Sequence, residues 1–185
     1  MGGLWHLTKR FVCAVRPGPP SAADDAWARR HLLPGEIALW ERMNNPDRRH
    51  AVAVARAVTR ELVAAGVAPA DRPPDRPVVA AALLHDAGKV VSGLRTPARV
   101  AATVFWGVAD DGRAARWAAE AAGPPRGIKA RLGAYRRHPE LGAELLRAAD
   151  ADPLTVAWAA EHHRPESSWT VPVPIGRVLK ACDDD

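Results

Sequence analysis

Along the chain, apolar residues recur every three or four positions. His50, Val54, Val58 and Leu62 repeat at four-residue intervals, which places them on one helical face. Leu154, Trp158 and His162 make a second stripe, and Val78, Ala81 and Ala82 lead at helical spacing into His85. Ile175, Val178, Leu179 and Cys182 mark one face of a last helix, with Asp183 one turn beyond Leu179. Valine runs are short and sit among alanines at helical spacing, so no strand is expected. Prolines and glycines divide the rest, and the pattern predicts helices at about 4–15, 22–31, 35–43, 46–65, 75–86, 97–108, 113–121, 125–135, 139–149, 153–163 and 174–184.

Some boundaries carry a local mechanism. Asn45 reads as a cap before Pro46, and Asp152-Pro153 repeats that arrangement. Ser21 precedes Asp24 and Asp25, which suit the positive end of a helix. Gly66 and Gly123 read as stops. The segment 164–174, "RPESSWTVPVP", reads as a proline-rich loop. The expected fold is all-α, with residues 1–30 as an N-terminal helical flank and 31–185 as one domain.

Bulk properties narrow the function classes. With 185 residues and 48% hydrophobic composition, the chain is long and apolar enough for a single packed domain, and disorder is not expected. Two cysteines, Cys13 and Cys182, make no disulfide framework, so a reducing, cytoplasmic setting is expected. No run approaches the roughly 20 apolar residues of a membrane span. His6, Lys9 and Arg10 interrupt the N-terminal apolar stretch, which fits a packed helix better than a secretion signal, with a lipid-resting amphipathic helix as the alternative. The net charge of +5 comes from 22 Arg and 4 Lys without a recognition motif, so specific nucleic-acid binding is not inferred.

The candidate chemistry lies in the histidines. Seven occur; His6 and His31 fall in the flank with no partner in the sequence. His50, His85 and His162 point inward by their stripes, while Asp86 and Asp183 border apolar faces. The stretch "LLHDAGK" at 83–89 ends an apolar helix on an adjacent imidazole and carboxylate, which are costly to bury uncompensated. A hydrogen-bonded core pair and a divalent-metal site both meet that cost, and spacing alone leaves both open.

With its ordered partners, the pattern resembles the HD superfamily of metal-dependent phosphohydrolases: His50, then His85-Asp86, then Asp183, on an all-helical chain. "RRHAVAVARAV" is similar to the family's first helix, "AALLHDAGK" to its signature and "PIGRVLKACDDD" to its closing helix. The likeness spans about residues 45–184, and alignment of the Arg-Val-Leu run favours Asp183 over Asp184 as the last ligand. "HPELGAELL" at 138–146 and the pair His162-His163 resemble the five-histidine HD-GYP branch, whose members hydrolyse cyclic di-GMP. Two features depart from it. "RPESSWTVPVP" stands where the branch has its Gly-Tyr-Pro loop, which argues against that substrate. Pro46 stands where some members carry a glutamate for a further metal, which argues against a third ion.

The resemblance implies one or two divalent metals (Mn, Fe, Ni, Mg or Zn). The first would be held by His50, His85, Asp86 and Asp183. The second would take His138, His162 and His163, with Asp86 bridging. Asp86 and Lys89 are the implied catalytic residues, and Lys89 and Arg137 the implied phosphate contacts, with Arg126, Lys129, Arg131 and Arg136 either drawing an anion in or forming an ordinary solvated face. Fraying beyond Asp183 is expected to weaken its hold. The implied partner is a phosphorylated small molecule or nucleotide. The implied function is hydrolysis of a nucleotide or cyclic-nucleotide phosphoester; the alternative is a non-catalytic module of the same type that binds a phosphorylated ligand in signalling.

Overall fold

The computed structural model describes residues 18–66, 75–94, 98, 117 and 125–184. Among them the regular structure is helical: α1 (Ala22–Arg29), α2 (Pro34–Arg42), α3 (Asn45–Ala64), α4 (Arg76–Leu84), α5 (Lys89–Ser92), α6 (Gly127–Arg136), α7 (His138–Ala148), α8 (Pro153–Glu161), a 3-10 turn (Glu166–Ser168) and α9 (Val173–Asp184). The all-α expectation holds. The helix expected at 4–15, the stop at Gly123, and those expected at 97–108 and 113–121 apart from isolated positions lie outside the described residues.

The core is organised around α4. Val78 through Leu84 are buried on every side, as a helix apolar all round must be. It packs between α3 and α8; α9 lies along α3, and α7 lies along α8. The short α5 seats against α6 and α7. Trp40 and Trp158 are fully enclosed in the core. Each fully buried leucine, such as Leu83 or Leu146, contributes about 1.5–3 kcal/mol by leaving water.

The caps follow the sequence with two shifts. Ser21 Oγ accepts from the Asp24 N–H at 3.1 Å and Asp152 Oδ1 from the Leu154 N–H at 3.0 Å, as expected. The cap of α3 is Asn44, not Asn45: its Oδ1 accepts from the Asp47 N–H at 2.9 Å. Pro46 then falls in the first turn, where no N–H is needed, and Asn45 accepts from Arg48 instead. α4 stops at Leu84 rather than 86. Beyond it the Ala87 N–H bonds to the Leu84 carbonyl at 2.9 Å and the Lys89 N–H to the Asp86 carbonyl at 3.0 Å. This tight turn carries His85 and Asp86. Gly66, at φ +68°, ends α3 as expected.

α1 joins the same core through Ala28. Asp25 accepts from Trp40 Nε1 at 2.8 Å, and Arg56 donates to Asp24. His31 is not isolated: its Nδ1 lies 2.9 Å from the Trp27 carbonyl, closing the end of α1. One backbone approach sets the geometry that follows. A Cβ at Gly88 would meet the His138 carbonyl oxygen at 1.9 Å and the Gly142 nitrogen at 2.5 Å, so only glycine lets the start of α7 come this near.

Candidate metal centre

His85 is the C-cap of α4, His162 the C-cap of α8, and His138 opens α7 directly after α6 ends. Helix C-termini leave carbonyl groups without helical partners. Each ring takes one of them three residues back: His85 Nδ1 to the Ala82 carbonyl at 2.9 Å, His138 Nδ1 to that of Tyr135 at 2.8 Å, and His162 Nδ1 to that of Ala159 at 2.9 Å. A carbonyl only accepts, so each Nδ1 carries a proton and each ring turns its Nε2 outward, toward the carboxylates. The C-terminal ends of α4, α6 and α8 bring partial negative charge to the same place.

Those nitrogens meet two carboxylates. Asp86 Oδ1 lies 3.2 Å from His138 Nε2 and 3.9 Å from His162 Nε2. Its Oδ2 lies 3.5 Å from His85 Nε2 and accepts from Lys89 Nζ. Asp183 Oδ1 lies 3.0 Å from His50 Nε2 and 3.3 Å from His85 Nε2. The five rings form a continuous row, with centroids 5.7 Å apart for His50 and His85, 5.3 Å for His85 and His162, 5.4 Å for His162 and His138, and 5.2 Å for His138 and His163. Among the described residues, two groups bring their ligand atoms within 4.8 Å of one another: His50, His85 and Asp86, and His138, His162 and His163.

The fit to a metal rests on orphaned atoms. Nε2 of His85, of His138 and of His162 is buried without a hydrogen bond. Lone pairs facing carboxylate oxygens out of water are costly. A divalent cation between them removes the conflict, and neutral imidazole with carboxylate is a donor set such cations take.

The electrostatics divide the site. Burial opposes charging of His85, yet the carboxylates of Asp86 and Asp183 outweigh it and hold its pKa well above the ordinary value. Burial likewise resists ionisation of Asp86, but Lys89 and His85 keep it well below the usual carboxylate range. Asp183 is also lowered, burial being outweighed by His85 and His50. At the other end burial holds His162 well below its ordinary pKa, assisted by His85 and His163. Partial burial and the His138 ring bring His163 down to about 4. One end therefore sets two carboxylates beside His85 and Lys89, and the other is a cluster of three imidazoles.

All seven residues expected as ligands are brought together. His162 is fully buried, whereas His163 reaches solvent. Asp183 is buried within α9, which runs through Asp184. Asp184 points away and pairs with Lys180 at 2.8 Å on the exposed side. Arg137 is half-buried at the junction of α6 and α7, while Arg126, Lys129, Arg131 and Arg136 are exposed, as on a solvated face.

Two supports escaped the sequence. Tyr135 supplies the carbonyl for His138, and its ring centroid lies 6.0 Å from Lys89 Nζ. The buried Glu161, next to His162, accepts from the Thr170 N–H at 2.8 Å, the Thr170 hydroxyl at 2.6 Å and the Val171 N–H at 3.4 Å. It thereby ties the 164–172 loop to the end of α8. The one usable signal was spacing: a histidine at a helix end takes the carbonyl three residues earlier.

The chain matches no curated protein and no solved structure. The HD domain family model matches residues 47–184, which takes in all seven clustered residues and most of the chain. The helical fold, the clustered histidines and aspartates and this match agree: the chain belongs to the HD domain family, a superfamily of metal-dependent phosphohydrolases.

Proposed function

We propose that this protein is a two-metal phosphohydrolase of the five-histidine type, hydrolysing a nucleotide or cyclic-nucleotide phosphoester. The observation that carries this reading is the position of Asp86, whose Oδ2 faces His85 and whose Oδ1 faces His138 and His162. One carboxylate thus borders both clusters. His50, His85, Asp86 and Asp183 hold the first ion in this reading, and His138, His162, His163 and Asp86 the second. Two divalent ions supply water activation at neutral pH and charge neutralisation of an in-line phosphoryl displacement.

The chain's own residues do the rest. The carbonyls of Ala82, Tyr135 and Ala159 hold three rings in the ligating tautomer. Lys89, one turn beyond Asp86, supplies a cation for a phosphoryl oxygen. Glu161 and Trp169 fix the loop after the double histidine: Trp169 Nε1 donates to the Arg164 carbonyl at 3.0 Å, and its ring stands against that of Trp158 at 5.4 Å. This pinned loop occupies the place of the Gly-Tyr-Pro segment, which favours a phosphoester other than cyclic di-GMP and keeps a non-catalytic ligand-binding module as the second reading.

The test is hydrolysis of bis(p-nitrophenyl) phosphate and a panel of cyclic and linear nucleotides with added Mn²⁺, Fe²⁺ or Ni²⁺. Turnover abolished by Asp86→Asn supports the enzyme. Metal binding and ligand-dependent thermal stabilisation without turnover support the second reading.

A further inference from the structure

Lys89 stands in an unusual place for a phosphate-binding lysine. Its ammonium is bonded to Asp86 Oδ2, the oxygen that faces His85, and the side chain is largely buried, at 18% exposure. The Tyr135 ring lies on one side of it, and the negative charge of Asp47 acts on it from the start of α3. A monovalent and a divalent cation at one carboxylate oxygen repel each other and divide its lone pairs. Asp86 Oδ1, by contrast, faces His138 and His162.

We infer that Lys89 competes with the metal of the first cluster for Asp86 Oδ2. Loading that position releases the ammonium from Asp86 toward the phosphoryl group. The inference rests on the two-metal reading above. The His50–His85–Asp183 position thus fills against Lys89, and the three-imidazole position does not. It also couples the two roles of the lysine, which serves as counterion of Asp86 without metal and as a ligand for phosphate with it.

The test is calorimetric titration of metal-free full-length protein with Zn²⁺, beside the variants Lys89→Met and Lys89→Gln. The expected result is two sites in the wild type. In both variants one site tightens about tenfold and the other is unchanged. Equal affinities in wild type and variants overturn the inference while leaving the metal site standing. Failure of the wild type to bind Zn²⁺ at all overturns the two-metal reading and this inference with it.

A second measurement needs no variant. The chain has four lysines, so reductive ¹³C-methylation gives few signals. The Lys89 signal is expected to shift as Zn²⁺ is added to two equivalents. A signal unchanged at two equivalents contradicts the competition.

Discussion

The backbone of Gly88 lies against the carbonyl of His138 so closely that a Cβ at Gly88 would stand 1.9 Å from that oxygen. The signature glycine thus fixes how near α7 comes to the turn that carries His85 and Asp86, and with it the 3.2 Å separation of His138 from Asp86.

Gly88→Ala is therefore expected to cost about 1–3 kcal/mol through overpacking and to move His138 off Asp86. Gly142→Ala, whose Cβ would meet the Gly88 nitrogen at 3.1 Å, is expected to cost less. Thermal melts and metal binding of the two variants check this. Equal melting temperatures for both would show that the approach is not the constraint.

Asp86→Asn keeps size and loses the shared charge. Metal content is expected to fall at both positions, and any phosphodiesterase rate to drop by at least about 100-fold. Asp184→Asn, on the exposed side of the same helix, is the control and is expected to change neither. A variant Asp86→Asn that retains both ions would remove the bridge from the account.

Glu161→Ala removes three accepted hydrogen bonds from a buried carboxylate. A loss of about 2 kcal/mol is expected, with faster amide exchange across 164–172. Because His162 and His163 follow directly, metal affinity at the three-imidazole position is expected to weaken also. Unchanged exchange in that loop would contradict the clamp.

Without metal, stability has a defined pH dependence. His162 is held well below its ordinary pKa and His163 at about 4. Unfolded, each takes a proton near pH 6.5, so below that the unfolded chain binds more protons and stability falls as pH falls. His85, held well above its ordinary value, contributes fully below about pH 6.5 and loses its contribution as pH rises through its folded pKa. Chelated protein is thus expected to melt lower at about pH 5 than at about pH 6.5, and scanning calorimetry with a chelator present reads this directly. A melting temperature at about pH 5 equal to or above that at about pH 6.5 would mean that His162 and His163 are not held neutral in the fold.

Much of the site could be anticipated because ligand-bearing residues continue apolar stripes. His50 extends Val54, Val58 and Leu62, and His162 extends Trp158, so helical periodicity alone points them inward. The adjacency of His85 and Asp86 after an apolar helix marked an energetic conflict visible without coordinates. What periodicity did not contain was the change of helical path after Leu84. The glycine contact with a backbone carbonyl 50 residues on is a tertiary fact with no local trace. Glu161 and Tyr135 were missed for a related reason. Each bond has a backbone group on one side, the Thr170 N–H for Glu161 and the Tyr135 carbonyl for the His138 ring, which leaves no paired residue types in the sequence. The cap of α3 slipped by one residue because Asn44 and Asn45 are chemically alike and only the observed bond to Asp47 separates them.

The central claim is that Asp86 joins two metal positions, one on His50, His85 and Asp183 and one on His138, His162 and His163. Elemental analysis of reconstituted protein tests it most directly, comparing wild type with His138→Ala and His50→Ala. The account predicts two ions per wild-type chain and one in each variant. No bound ion in the wild type, or an unchanged count in both variants, would contradict it.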